Sequence, residues 1–320
     1  MSADPAQALA AVVPPELRDL LRGRQLVLAR PVGGPHAGRH GSTRAGLGDQ
    51  FRGHRPYVPG DDPRRLDWRA VARRDRLVLR QTDSEDALST VLLVDGSGGM
   101  AYGTGASNKQ RHAAALAGAL AHLALRQGDR VGFAIGRDDA LELSQLRPQA
   151  GSPRLAALAQ ALTRAPSGLC PWPTLIAAVA PTLPRRSLVV VLSDLLDPDP
   201  RHSDADLQLQ RGLAGLRSRG HDVVLVQVLH RDELEFPWDG RGPWRFEDPR
   251  GAREPIEGHA PGLRHAYLER LHAHLHQLEQ SCGESGLHLH RTVTDRPLTA
   301  SLLALLARLA GHPQPLEAHP

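Results

Sequence analysis

The sequence predicts an α/β fold built on an open, mostly parallel sheet with helices on both faces. Three observations predict it. From residue 88 onward, short β-branched apolar runs alternate with longer stretches whose apolar positions recur at three and four. The run SLVVVLSD (187–194) is apolar at every position of its centre, as a strand covered on both faces must be. Helix-length stretches lie between successive strands, which is the connection that parallel strands need.

Each element follows from its own residues. ALSTVLLVD (87–95) reads as a buried strand. KQRHAAALAGALAHLALRQG (109–128) reads as a helix with Gly128 where a C-terminal cap belongs. RVGFAIG (130–136) is the second strand and DALELSQLRP (139–148) a third, close enough for a hairpin. SPRLAALAQALTRA (152–165) opens with Ser152 and Pro153, an N-terminal helix signature. A short helix, TLIAAVAPTL, follows Pro173 and leads to the strand at 187–194. DADLQLQRGLAGLRSRG (204–220) is a helix closed by Gly220, and HDVVLVQVLH (221–230) the next strand. A long helix (262–285), the strand LHLHRTV and the helix PLTASLLALLARLAG complete the pattern.

Two regions break the rhythm. Residues 232–261 are rich in Gly, Pro and charge, yet carry Phe236, Trp238, Trp244 and Phe246. Aromatics in such numbers pack, so a hairpin-like insertion is expected. The first 86 residues are turn-rich apart from a short helix at PPELRDLLRG and another beginning at Asp62–Pro63. The expected organisation is therefore an irregular and β-rich elaboration at 1–86 packed on a main domain at 87–311, with the insertion at 232–261 and a tail at 312–320.

Composition narrows the function. The 320 residues are 41% hydrophobic and 23% charged, which is ordinary for a globular chain able to bury a large core. No run reaches the roughly 18 apolar residues of a membrane span. The opening MSADPAQALAAVVPP lacks the basic start and apolar stretch of a secretion signal. Two cysteines, Cys170 and Cys282, suit a reducing compartment, so a cytoplasmic protein is expected. The net charge of +4 comes almost wholly from arginine, with Lys109 the only lysine. Acidic residues nearly balance it, 35 against 39, so the charge alone does not indicate nucleic acid.

The chemistry gathers at VLLVDGSGGMAYG (91–103). Open α/β sheets bind ligands beyond the carboxyl ends of their strands. Asp95 ends one strand there and Asp194 another; Ser97 follows on the glycine turn, and Thr174 is expected on the loop before a helix. Two carboxylates and two hydroxyls are the hard oxygens that Mg²⁺ or Mn²⁺ favours. The alternative is that both carboxylates are held by backbone N–H groups of the turn.

The pattern D-x-S-x-x-M after a strand, a threonine about 80 residues on, and a strand ending in S-D resembles the metal-ion-dependent adhesion site of a von Willebrand factor A domain. The run from Gly48 to Trp68, with R-x-Y-x-P-G-D-D at its centre, resembles the bacterial family called domain of unknown function 58, as do ELEFP, FED and a late Y-x-x-R-L. The resemblance covers about residues 38–310. It implies a von Willebrand factor A-like domain that binds another protein, alongside a MoxR-type AAA+ ATPase, in protein assembly or maturation. Asp95, Ser97, Thr174 and Asp194 would hold the metal; Arg55, Tyr57, Gly60, Asp61, Asp62, Arg65, Asp67 and Trp68 would be structural or partner-binding. Position 99 departs from D-x-S-x-S. Gly99 offers no hydroxyl, which weakens the site by about tenfold, or 1–2 kcal/mol.

Rival chemistries are visible too. Ser97 almost forms a nucleophile elbow, and a hydrolase using Ser97 (with a late histidine such as His290) or a bound metal at the same edge is the alternative function. His272 and His276, with Glu269, have a spacing that zinc accepts. The arginines from Arg64 to Arg76 could meet phosphates, but Asp61, Asp62 and Asp67 stand among them and the aromatic interleaving of single-strand binders is missing. Trp238 and Trp244 read as packing residues or as a partner-binding tip. A non-enzymatic protein-binding module is the reading these observations favour.

Overall fold

The computed structural model describes residues 10–29, 51–56, 78–82, 88–137, 147–150, 153–184, 186–196, 205–239, 242–251 and 253–311. The chain divides into two compact units, Met1–Arg30 with Leu88–Pro320, and Pro31–Ala87. In the second, β1 (Phe51–Pro56) pairs antiparallel with β2 (Val78–Thr82), with an irregularity between Phe51 and Gly53. The helix expected at Asp62–Pro63 and the strand expected at 139–148 fall on residues outside those described, save for the last two of the latter.

The larger unit begins with helix α1 (Pro15–Leu21). It continues with β3 (Ser89–Asp95), α2 (Lys109–Arg126), β4 (Arg130–Gly136), α3 (Pro153–Leu162), α4 (Trp172–Val179) and β5 (Leu188–Ser193). Then come α5 (Ala205–Ser218), β6 (Asp222–Leu229), the short α6 (Arg231–Glu235), β7 (Trp244–Phe246), β8 (Ile256–Gly258), α7 (Ala260–Glu284), β9 (His288–Val293) and α8 (Leu298–Leu309). Five strands form one parallel sheet in the order β4-β3-β5-β6-β9.

The continuous apolar runs are explained by what covers them. Leu92, Val94, Phe133, Val190 and Val226 point to one face, under α1, α2, α3 and α8. Val91, Leu93, Ala134, Val189 and Leu225 point to the other, under α4, α5 and α7. Each fully buried side chain of this size contributes roughly 1.5–3 kcal/mol. Leu17 and Leu21 of α1 join the first cluster, so this helix is part of the main core. Gly118 of α2 makes room for the segment just before this helix, since a Cβ there would press on Val12 and Val13.

The insertion is a hairpin: β7 and β8 pair antiparallel with Phe246 opposite Ile256. Its aromatics do pack. Phe236 makes ring contacts with Trp238, Phe246 and the α7 residue Tyr267. Phe236 itself turns the chain out of α6 in a left-handed conformation, φ 49°. Among the described residues, no helix is long and apolar enough to cross a membrane.

Candidate functional site

The chain leaves β3 toward β4 on one side and returns to β5 on the other, so the doubly wound order reverses between β3 and β5. The crevice at the carboxyl ends of these two strands is where such sheets bind ligands. Asp95 is the last residue of β3 and Asp194 follows the last residue of β5. The topology thus brings the two expected carboxylates to one place, and both are almost completely buried.

Their surroundings differ. One step beyond the Val94–Leu192 pair, Ser193 stands beside Asp95 and donates its hydroxyl hydrogen to Oδ2 at 2.5 Å. The Ser97 N–H donates to Asp95 Oδ1 at 2.8 Å. Ser193 Oγ in turn accepts the Leu195 N–H. Burial first and Asp194 second outweigh these hydrogen bonds and raise the Asp95 carboxyl above its ordinary value.

Asp194 is met by two cations. Lys109 Nζ donates to its Oδ2 at 2.9 Å, and Arg250 Nη2 reaches Oδ1 and Oδ2 at 3.1 and 3.0 Å. The Leu196 N–H and Gln227 Nε2 bond its Oδ1 and its main-chain oxygen. Burial works against an ionised Asp194, but Lys109 and then Arg250 outweigh it and hold the carboxyl down at about 2. Lys109 also donates to Glu233 Oε1 at 2.6 Å. Burial opposes its charge too, yet Asp194 and Glu233 raise it above the ordinary lysine value.

Local structure explains how these groups arrive. Asn108 caps α2 by accepting the Arg111 N–H, so Lys109 is the first helical residue. A cation is disfavoured at a helix N-terminus. Two carboxylates hold it there. Glu233 lies in the capping box of α6, where its other oxygen accepts the His230 N–H. Arg250 sits in a tight turn in which Asp248 accepts the N–H groups of Arg250 and Gly251. Glu233 and Asp248 belong to the ELEFP and FED motifs, so these two motifs converge on the site.

The glycine turn is filled by the chain itself. Gly96 N–H donates to Gly136 and Gly98 N–H to Gly168. A Cβ on Gly98 would lie 2.5 Å from the Pro249 carbonyl carbon and 2.9 Å from Arg250 N. A Cβ on Gly99 would lie 2.5 Å from Arg250 Cζ and 2.7 Å from Asp194 Oδ2. Gly98 is required by the close approach of the Pro249–Arg250 backbone, and Gly99 leaves the space that the Arg250 guanidinium and the Asp194 carboxylate occupy.

The other expected residues fall as follows. Ser97 Oγ is buried beside Asp95 and makes no hydrogen bond of good geometry. Its backbone is ordinary extended chain, φ −65° and ψ 160°, and a 3₁₀ turn at Gly98–Ala101 follows it. Thr174 was expected on a loop; α4 begins two residues earlier, at Trp172, and Thr174 stands exposed in its first turn, bonded to neither carboxylate. His272 and His276 are exposed on α7. Among the described residues no cluster of three His, Cys, Asp or Glu side chains suits a metal. Of the motif residues, Arg55 lies on β1, with its backbone opposite Leu79. Tyr57, Gly60, Asp61, Asp62, Arg65, Asp67 and Trp68 lie outside the described residues.

Asp95 and Ser97 offer what a divalent ion needs, a buried carboxylate and an unbonded hydroxyl. Asp194 does not. Its negative charge already faces an ammonium and a guanidinium about 3 Å away, and a dication placed beside them would be repelled in poorly solvated surroundings. As arranged, the set does not fit Mg²⁺ or Mn²⁺.

Residues 53–277 match the family described as "Protein of unknown function DUF58". Uncharacterized proteins of Mycobacterium tuberculosis (strain H37Rv) and Mycobacterium bovis are each 29% identical over 307 residues, covering 93% of this chain and 93% of theirs.

Proposed function

Because the chain belongs to the DUF58 family, we propose that it is a non-enzymatic protein-binding module of von Willebrand factor A-like type. It works with a MoxR-type AAA+ ATPase in the assembly or maturation of other proteins in the cytoplasm. Its contact surface is the carboxyl edge of the sheet around Asp95 and Asp194. One observation carries this reading: the charged groups at the switch point are paired with one another, not aimed at an open crevice. Asp194, Lys109, Glu233 and Arg250 are joined in one chain of ion pairs. A hydrolase would need a base on Ser97 and a strained elbow. Ser97 has extended backbone and, among the described residues, no histidine bonded to it, which supports a binding role over the hydrolytic alternative.

The reading does not need a metal, since the Asp194 charge is balanced from within. The test is binding of the purified chain to the MoxR-type ATPase of the same genome, followed by size-exclusion chromatography. Thr104→Arg, on the exposed loop beyond β3, should abolish the complex while leaving the melting temperature unchanged. Turnover of an ester or phosphate substrate that disappears in Ser97→Ala would replace this reading with the hydrolase.

A further inference from the structure

The disagreement between the carboxylates and the metal points to a different occupant. We infer that Arg250 is the resident cation of the site: the chain supplies, from its own Asp248–Gly251 turn, the positive charge that an Asp–Ser–Asp set would otherwise take from a divalent ion. Three independent features make this a built site.

The Nη2 group of the guanidinium lies 3.1 and 3.0 Å from the two oxygens of Asp194, which sets its positive charge directly against the carboxylate. The turn that carries it is preorganised. Asp248 fixes the Arg250 and Gly251 N–H groups, and Gly251 takes the left-handed φ of 69°. The seat beneath it is cut into the β3 turn, because Gly98 and Gly99 lack side chains where the Pro249 carbonyl and the Arg250 guanidinium lie. The departure from D-x-S-x-S at position 99 and the arginine at 250 are therefore two halves of one change. A serine at 99 would occupy the space the guanidinium uses. Lys109, itself held by Glu233, supplies the second positive charge on Asp194. The edge is charge-balanced without metal, and whatever binds here does so independently of divalent ions.

The test uses the full-length chain and Mn²⁺ as the probe, followed by the electron paramagnetic resonance signal of the free ion and by thermal melting. The wild type should leave the free-ion signal undiminished, and its melting temperature should respond neither to Mn²⁺ nor to a chelator. Arg250→Ala should melt at lower temperature, Arg250→Lys should retain part of the loss, and Asp194→Asn should remove most of the Arg250→Ala effect in the double variant. That last readout isolates the pair from general damage to the turn. Uptake of Mn²⁺ by the wild type that is lost in Asp194→Asn would overturn the inference. So would an Arg250→Ala protein that melts like the wild type, or effects of the two substitutions that simply add. If Arg250→Ala does not fold, Arg250→Lys alone and with Asp194→Asn gives the same comparison. The outcome is separate from ATPase binding, so either conclusion can fail without the other.

Discussion

Lys109 Nζ lies 2.9 Å from Asp194 Oδ2, and both side chains are almost wholly removed from solvent. The sole lysine of the chain thus ties the start of α2 to the end of β5, 85 residues away. Removing one partner of a buried pair leaves the other charged and unmet, which typically costs about 3–5 kcal/mol. Lys109→Met, which keeps the stem and drops the charge, should lose stability on that scale in urea unfolding. Glu233→Gln should lose less, because Asp194 still meets the ammonium.

The two carboxylates should leave opposite marks on stability against pH. Asp194 is held at about 2, below its ordinary 3.8, so its contribution is complete above the ordinary value and is lost as pH falls toward 2. Asp95 is raised, so its contribution is present in acid and is lost as pH climbs through its folded value. Asp194→Asn should therefore flatten the acid limb of a melting-temperature profile. Asp95→Asn should flatten the decline that follows it. Equal profiles for the two variants would contradict the assigned environments.

A third limb belongs to histidine. Burial lowers His112 and His290 from 6.5 to about 4. His112 Nε2 donates to Thr292 Oγ1 at 3.1 Å, and Thr292 donates onward to Ser301. Unfolding frees both rings to take protons, so stability should fall as pH drops from 6.5 toward 4. Replacing both histidines with glutamine should reduce proton uptake on unfolding in that window, measured from the pH dependence of the unfolding free energy.

Position 99 gives a sharper outcome than the sequence alone suggests. The sequence pattern implies that Gly99→Ser restores a ligand. With Arg250 in place, the new Cβ would instead crowd Arg250 Cζ and Asp194 Oδ2. Gly99→Ser alone should lower the melting temperature and bind no Mn²⁺. Gly99→Ser with Arg250→Ala removes the guanidinium clash and leaves only the contact with Asp194 Oδ2, so it should recover part of the lost melting temperature while Lys109 still holds Asp194 against Mn²⁺.

Most of the sheet was legible because its evidence is local. VLLVD and SLVVVLSD announce buried strands, and the glycines after α2 and α5, Gly128 and Gly220, adopt the expected positive φ. Asp95 and Asp194 were legible because strand ends can be read and the crevice rule then joins them. Their partners were not. Ser193 depends on register, while Lys109 and Arg250 reach Asp194 across 85 and 56 residues and Glu233 reaches Lys109 across 124, where periodicity carries no information. A signal for Lys109 existed: a single lysine directly after a capping Asn, at the helix end least favourable to it. Thr174 was placed at the loop edge because the sequence starts this helix only after Pro173. In α4 it occupies the first turn, where a proline costs no hydrogen bond. The helix Pro15–Leu21 was grouped with the elaboration by position in the chain, whereas Leu17 and Leu21 are core residues of the larger unit.

The Gly98–Pro249 approach also has a historical consequence. Backbone is pressed against backbone there, and Gly99 shares its space with Arg250, so neither loop was free to drift alone. A side chain gained at 98 meets the Pro249 backbone and one gained at 99 meets the Arg250 guanidinium, so either change requires a compensating one in the 248–251 turn. Descendants of this lineage should inherit the three positions as one linked character. In a branch that carries serine at 99, the residue opposite should be shorter than arginine.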